Sequence, residues 1–267
     1  MNLRGLASLS AVCATLVTTH ADAGNFDLTG FVDHDSTGYT LDEPTLDLAL
    51  EDVIASLRPA LASTSRTSGS AGFALTLGYG WTPISADSDA WTRGLDGHAP
   101  AALGTLQLEA RKGLPMGLEL SAAVTHSQTL GMTAASFALR WAWLEGLSGI
   151  PDMGLRIDGG AIVGDSELTI ATAGLELVMG YPVSVLGLFN LAPYAGYSLR
   201  FGHTIERRVA LLDDVSAMPF ITVLPSQNVV LSHAIVGLRV QTAQLDVGLE
   251  ATLGTSVGLV FQVGARL

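Results

Sequence analysis

The stretch Phe73-Ala74-Leu75-Thr76-Leu77-Gly78-Tyr79-Gly80-Trp81 decides the fold of this 267-residue chain. Its odd-numbered residues are large and apolar, and its even-numbered residues are small or polar. Because successive side chains of a β-strand point to opposite faces, this alternation predicts a strand with one apolar face and one small or polar face.

The same alternation recurs in nine further segments. Each segment has about the 9–11 residues that a tilted strand needs to cross the hydrocarbon core of a bilayer. We therefore expect an all-β chain of about ten strands. The stretch Tyr181–Phe189 is long for a turn, so twelve strands stay open as an alternative. The nine further segments lie near Leu103–Arg111, Gly117–Ser127, Thr133–Trp143, Gly154–Val163, Leu168–Met179, Leu191–Phe201, His233–Gln241, Gln244–Leu253 and Val257–Leu267.

Charged residues in the strand interiors all lie on the parity opposite to the large apolar residues. Six are acids and six are bases, so charges that face inward could pair with one another or be hydrated. This pattern predicts a lumen lined by charge. The twelve residues are Glu109, Arg111, Glu119, Arg140, Arg156, Asp158, Glu176, Arg200, Arg239, Asp246, Glu250 and Arg266.

Composition favours a membrane barrel over a soluble protein. Only 14% of the residues are charged, and Lys112 is the only lysine, whereas a soluble surface normally carries many charges of both signs. A closed antiparallel transmembrane β-barrel with its apolar face toward lipid accounts for this, and closure leaves no unpaired strand edge in hydrocarbon. A soluble secreted β-sandwich that binds a ligand is the alternative. The net charge of −12 excludes the basic footprint of a nucleic-acid-binding protein.

Loop lengths and aromatic residues fit the same topology. The two longest connections, about Pro83–Ala101 and His203–Ser232, fall at one end of the barrel, and the short turns Lys112–Met116 and Thr242-Ala243 fall at the other. Long outer loops and short periplasmic turns are typical of bacterial outer-membrane barrels. Aromatic residues of the lipid-facing parity near strand ends predict girdles at the membrane interfaces. These are Tyr79, Trp81, Trp141, Trp143 and Phe201.

The N-terminal residues 1–23 predict a Sec-type signal peptide. Arg4 precedes the apolar run Leu6–Val17, and Ala21-Asp22-Ala23 fits the cleavage rule. The only cysteine, Cys13, lies within this peptide. We therefore expect an exported chain without thiol chemistry.

Residues 24–71 form an acidic segment ahead of the predicted barrel at 72–267. Apolar residues at helical spacing predict one amphipathic helix over about Thr45–Leu57, followed by a Ser/Thr/Gly linker at Ala62–Ala71. This helix could plug the lumen, lie on a membrane surface or lead a loose periplasmic segment. We expect one of the last two positions rather than the plug.

Residues 72–267 resemble the bacterial outer-membrane β-barrel class. The resemblance rests on the dyad repeats, the outward aromatic residues and the alternating last strand Gly258–Leu267. The segment Leu106–Pro115 is also similar to one in uncharacterised proteobacterial barrels. The resemblance implies a porin-like barrel in contact with outer-membrane lipid, assembled with the help of periplasmic chaperones and the barrel-assembly machinery.

Candidate catalytic and metal-binding residues are few. The five histidines after the signal peptide have no metal-ligand spacing, and no Gly-rich phosphate loop follows a strand. We therefore expect no metal, no cofactor and no enzymatic activity, and a structural, surface-exposed or narrow-pore role. The histidines are His34, His98, His126, His203 and His233.

Two enzyme alternatives rest on resemblance to other outer-membrane barrels. Lipid A deacylases use a His/Ser pair that faces lipid, and the nearest match here is His126-Ser127, although adjacent strand residues point to opposite faces. Omptin-type proteases use Asp-Asp and Asp-His pairs above the rim, and the candidates here are Asp213-Asp214 and His203.

Overall fold

The computed structural model describes residues 26–35, 38–60, 66–85, 87–95, 99–147, 149–164, 168–212, 219–223 and 226–267. The predicted signal peptide and residues 61–65 of the predicted linker lie outside these ranges. In chain order the elements are a 3-10 helix (Thr29–Phe31), β1 (Val32–Asp35), β2 (Gly38–Leu41), α1 (Glu43–Ser56), β3 (Phe73–Pro83), α2 (Asp89–Gly94), β4 (Ala102–Leu114), β5 (Leu118–Ser127), β6 (Thr133–Leu144), β7 (Asp152–Val163), β8 (Leu168–Gly180), β9 (Val183–Val185), β10 (Phe189–Leu212), β11 (Pro219–Val223), β12 (Asn228–Gln241), β13 (Leu245–Gly254) and β14 (Gly258–Arg266).

Ten antiparallel strands of the described chain close into one barrel. Around the wall they follow the order β3, β4, β5, β6, β7, β8, β10, β12, β13 and β14. The sheet closes where β14 pairs with β3, with Phe261 opposite Tyr79. Closure removes the unpaired edges that an open sheet would expose. The alternative of twelve wall strands is wrong.

Two segments near the barrel rims differ from the sequence-based boundaries. Between β8 and β10 the chain contains only the three-residue strand β9, which pairs with the first residues of β10 and is not one of the ten wall strands. The predicted loop His203–Ser232 is largely strand, because β10 continues to Leu212 and pairs with β11 beyond its last partner in β8. This hairpin extends the sheet past the rim.

The barrel exterior is apolar and its interior is polar over much of its length. Leu77, Leu139 and Leu249 are 50%, 44% and 54% exposed, while their strand neighbours face the lumen and are buried. Exposed apolar surface of this extent is unfavourable in water and favourable in hydrocarbon. The β-sandwich alternative is wrong, because one closed sheet turns its apolar side outward. No described helix is long and apolar enough to cross a membrane.

The two ends of the barrel differ. We call the end that carries α2 and the β10–β11 hairpin the loop end, and the opposite end, with Pro115–Gly117 and Thr242–Gln244, the turn end. The predicted interfacial aromatic residues all lie on the outer face, with Trp81 toward the loop end and Trp141 and Trp143 toward the turn end, where their ring centroids are 5.9 Å apart at a tilt of 60°. Their exposed fractions are Tyr79 54%, Trp81 45%, Trp141 50%, Trp143 37% and Phe201 49%.

Candidate functional site in the barrel lumen

The described residues ahead of the barrel contact the lumen wall from one end of the barrel to the other. We call residues 26–72 the plug segment, of which all but 36–37 and 61–65 are described. At the loop end the Asp27 N–H donates to Gly94 O at 2.9 Å, and at the turn end the Ser68 N–H donates to Glu119 Oε2 at 2.8 Å. The expectation of a surface-bound or loosely periplasmic helix is therefore wrong, because α1 lies inside the barrel.

Local sequence explains where α1 begins and ends. The Asp42 carboxylate accepts hydrogen bonds from the Thr45 N–H at 3.3 Å and the Thr45 hydroxyl at 2.7 Å, which caps the first turn and lowers the pKa of Asp42. Pro44 fits the first turn because no intrahelical N–H is needed there. The helix ends at Ser56, ahead of Pro59, which cannot donate a helical hydrogen bond.

The apolar face of α1 packs against an apolar layer of the lumen at the loop end. Side chains of α1 such as Leu50 and Ile54 are fully buried there. The wall residues they meet lie on the same parity as the lumen charges but nearer the loop end of each strand. This packing removes apolar surface from water, which is the main force that holds the helix. The wall residues are Leu103, Ile162, Leu168, Ile170, Val229 and Leu231.

Sequence reasoning missed this apolar layer because it read the inward parity only for charge. Several strands carry apolar residues at lumen-facing positions near their loop ends. This pattern indicates that an apolar part of the chain packs inside that end of the lumen. The apolar face of α1 is the part of the chain that packs there. The polar face of α1 is acidic, whereas helices that lie on membrane surfaces normally have a basic polar face.

The first connection covers the loop end of the plug segment. The Trp91 ring in α2 meets Phe26 edge-on with centroids 6.2 Å apart, and its indole N–H donates to Asp52 Oδ2 at 3.0 Å. Burial raises the pKa of Asp52 despite this hydrogen bond. Arg93 forms an ion pair with Asp33 at 3.0 Å. The plug segment is thus held from above as well as from the sides.

Below α1, three consecutive plug residues bind the charged part of the wall. Arg58 Nη1 lies 3.2 Å from Glu176 Oε1, and Arg58 Nη2 lies 2.6 Å from Glu250 Oε1. Arg156 Nη1 donates to the carbonyl of the next residue, Pro59, at 3.3 Å. The Ala60 N–H donates to Gln107 Oε1 at 3.0 Å. One side chain and two backbone groups are therefore recognised together.

The predicted linker is also bound to the wall over its described part. Arg66 Nε donates to Asp152 Oδ2 at 2.5 Å. The Thr67 N–H and hydroxyl both donate to Glu145, at 3.1 and 2.9 Å, and Ser68 Oγ donates to Glu119 at 2.6 Å. Residues 66–68 are thus the turn-end anchor of the plug segment rather than a free spacer.

The structure buries eleven of the twelve predicted lumen charges, each 5% exposed or less, and leaves the Arg266 side chain 30% exposed at the turn end. Opposite charges on the lumen side form ion pairs, which is one of the two possibilities, pairing or hydration, that the sequence left open. These pairs are Arg200–Asp158 at 3.0 Å, Arg156–Glu176 at 3.2 Å, Arg140–Glu119 at 3.4 Å, Arg111–Glu119 at 3.8 Å, Arg239–Asp246 at 3.0 Å and Arg266–Asp246 at 3.2 Å. Glu250 forms an ion pair with Arg58 and accepts a hydrogen bond from the Tyr194 hydroxyl at 3.0 Å.

The residues of the two enzyme alternatives are not brought together. His126 shares a hydrogen bond with Thr133 on the outer face, whereas Ser127 is fully buried on the lumen side. His203 is exposed and bonded to Asn228, and Asp213-Asp214 lie outside the described residues. Within the described ranges, no group of three or more His, Cys, Asp or Glu side chains is placed to hold a metal ion.

No protein family model and no curated protein matches the sequence. Several solved structures align with most of this chain at low identity. The attachment invasion locus protein Ail of Yersinia pestis, in complex with the heparin analogue sucrose octasulfate, is 9% identical, with 74% of this chain and 99% of that chain covered and a TM-score of 0.27. The KdgM porin is 9% identical, with coverage of 72% and 98% and a TM-score of 0.32. LpxR from Salmonella typhimurium is 12% identical, with coverage of 74% and 99% and a TM-score of 0.33. The closed ten-strand sheet with an apolar exterior has the architecture of a small outer-membrane β-barrel.

Proposed function

We propose that this chain is an outer-membrane barrel whose narrow passage is held shut by its own plug segment. The apolar exterior supports residence in a bilayer, and long connections at one end with short turns at the other support a loop end that faces outward. In this orientation the plug segment enters the lumen from the cell surface and joins β3 at the periplasmic side.

The threading of the lumen at three levels carries the proposal. About eight strands enclose a packed interior, whereas 16–18 strands leave an aqueous channel. A ten-stranded barrel leaves room in its lumen for one further segment of chain. From the loop end to the turn end, this space is filled by the apolar face of α1, by Arg58 and by residues 66–68. The resting barrel is closed.

The plug segment is held by non-covalent contacts that can be released. Charged side chains of the wall then line a passage that is polar toward the turn end and apolar toward the loop end. This arrangement fits a narrow pore that opens when the plug segment moves. If the plug segment never moves, the barrel has a purely structural, surface-exposed role.

Single-channel recording in planar bilayers tests the proposal. We expect wild-type protein to be silent apart from brief openings, and the variant Arg58→Ala to conduct for longer periods. Arg266→Ala removes the same side chain from the turn end without touching the plug segment, so it should behave as wild type. Steady wild-type conduction would contradict the closed state, and an equally silent Arg58→Ala would contradict the releasable plug.

We further propose that the chain has no enzymatic role. His126 and His203 each bond a neutral neighbour, and neither has a serine or acid partner among the described residues. Purified protein incubated with lipid A and with a mixture of peptides should turn over neither. Turnover that disappears in His126→Ala or His203→Ala would overturn this part of the proposal.

A further inference from the structure

We propose that the middle of the lumen wall is a binding site for an arginine-containing peptide, and that Arg58-Pro59-Ala60 is its built-in occupant. The inference rests on the plug segment of the proposed function and adds the chemical class of ligand. It follows from what the wall recognises. Glu176 and Glu250 form ion pairs with the Arg58 guanidinium group. Arg156 donates a hydrogen bond to the carbonyl of the next plug residue, and Gln107 accepts one from the N–H of the residue after it.

The guanidinium part of the site is specific in geometry. Glu176 lies on β8 and Glu250 on β13, so their oxygens approach Arg58 from different strands. A planar guanidinium presents donors in several fixed directions and can satisfy both carboxylates at once. An ammonium group is a compact point charge on a flexible stem and lacks this fork.

The backbone contacts make the site one for a peptide rather than for any cation. Arg156 Nη1 is shared between Pro59 O and Glu176 Oε2, which places a carbonyl acceptor directly after the arginine. Arg156 Nη2 and Gln107 Nε2 are buried and have no hydrogen-bond partner among the described residues. A second acceptor in a ligand, such as another carbonyl or a terminal carboxylate, would give these donors a partner.

The site is held in shape by the wall itself. The Tyr194 hydroxyl donates to Glu250 Oε2 at 3.0 Å, and its ring lies across Gly237, where an added Cβ would fall 2.2 Å from Tyr194 Cζ. Only glycine at this position lets the ring reach Glu250. The carboxylate is therefore oriented by contacts that do not involve the plug segment.

The charge of the wall favours a cationic ligand once Arg58 is gone. Glu176 and Glu250, the two carboxylates that contact the guanidinium group, lose this cationic partner when Arg58 is replaced. Opposite charges in a buried setting attract more strongly than in water, so a peptide without a positive charge would bind poorly.

The test uses the full chain with Arg58→Ala and the peptide acetyl-Ser-Leu-Arg-Pro-Ala-amide, which copies residues 56–60. We expect a saturable rise in the Tm of this variant. Replacing the peptide arginine by lysine should weaken the apparent affinity at least ten-fold, and replacing it by citrulline should abolish binding. Wild type, whose site is filled, and the double variant Arg58→Ala/Glu250→Gln should show little change.

Three results would overturn the site: no Tm shift, equal shifts in wild type and Arg58→Ala, or equal shifts with the arginine and citrulline peptides. If Arg58→Ala does not fold alone, the peptides are present during refolding and the folded yield is measured. Recovery by the arginine peptide alone supports the site, and no recovery contradicts it. If Arg58→Ala binds the peptide but never conducts, the proposed pore is refuted and the peptide site is not. If Arg58→Ala conducts but does not bind the peptide, only the peptide site is refuted.

Discussion

Replacement of Arg58 by alanine should release the plug segment, and the size of the effect follows from its contacts. The Arg58 side chain is 4% exposed and lies between Glu176 and Glu250. Removing one partner of a buried ion pair typically costs 3–5 kcal/mol, because the remaining charge stays buried. Here Glu176 keeps Arg156 at 3.2 Å and Arg200 at 3.6 Å, so we expect the lower end, about 3 kcal/mol.

This cost applies to the docked plug and not to the displaced one, where the carboxylates are hydrated. At about 1.4 kcal/mol per factor of ten, the fraction of molecules with the plug displaced should rise about 100-fold. The rise should be measurable without unfolding the barrel, because the wall strands keep their own backbone hydrogen bonds.

Thiol labelling measures this fraction directly. A cysteine at Ala49, which is fully buried on the apolar face of α1, is introduced in a Cys13→Ser background, so that it is the only thiol. Its labelling rate by a water-soluble maleimide reports how often the helix leaves the lumen. We expect Arg58→Ala to accelerate labelling about 100-fold over the same chain with Arg58 intact.

Arg266→Ala serves as the matched control. Its side chain is 30% exposed and Asp246 keeps Arg239 at 3.0 Å, so its loss should cost less than about 1 kcal/mol and change the rate less than about five-fold. An Arg58→Ala acceleration below about five-fold, or one matched by Arg266→Ala, would refute Arg58 as the lock of the plug.

Three further predictions concern the two ends of the plug segment. Gly113→Ala places a Cβ 1.9 Å from Gly69 O and should speed backbone hydrogen exchange of residues 66–69, while exchange at the loop end stays unchanged. Leu231→Asp puts an unpaired charge into the apolar layer and should speed thiol labelling on α1 by at least about 100-fold, whereas Leu231→Met should have little effect. Burial raises the pKa of Asp52, so the docked plug binds a proton more readily than the displaced one. The labelling rate, divided at each pH by that of a free thiol, should therefore fall as pH falls through the raised pKa. Asp52→Asn, which still accepts from Trp91, should lower this relative rate at neutral pH and remove its pH dependence.

Local pattern was enough to predict the wall. The alternation in residues 73–81 and its repeats gave the strands, their facing and the inward charges, because the direction of a strand side chain depends only on its position in the chain. The boundaries of α1 came within two residues for the same reason, since Asp42 and Pro44 act on their immediate neighbours. Beyond His203 the alternation is weaker, and the sequence predicted a loop where the structure has the end of β10.

The sequence by itself determined a closed barrel with an apolar exterior, because that information repeats every two residues. Only the tertiary structure decided that the lumen is filled. Arg58 meets carboxylates 118 and 192 residues further along the chain, and the apolar layer collects single residues from separate strands. Such partners become neighbours only when the sheet closes, so no window of sequence contains them.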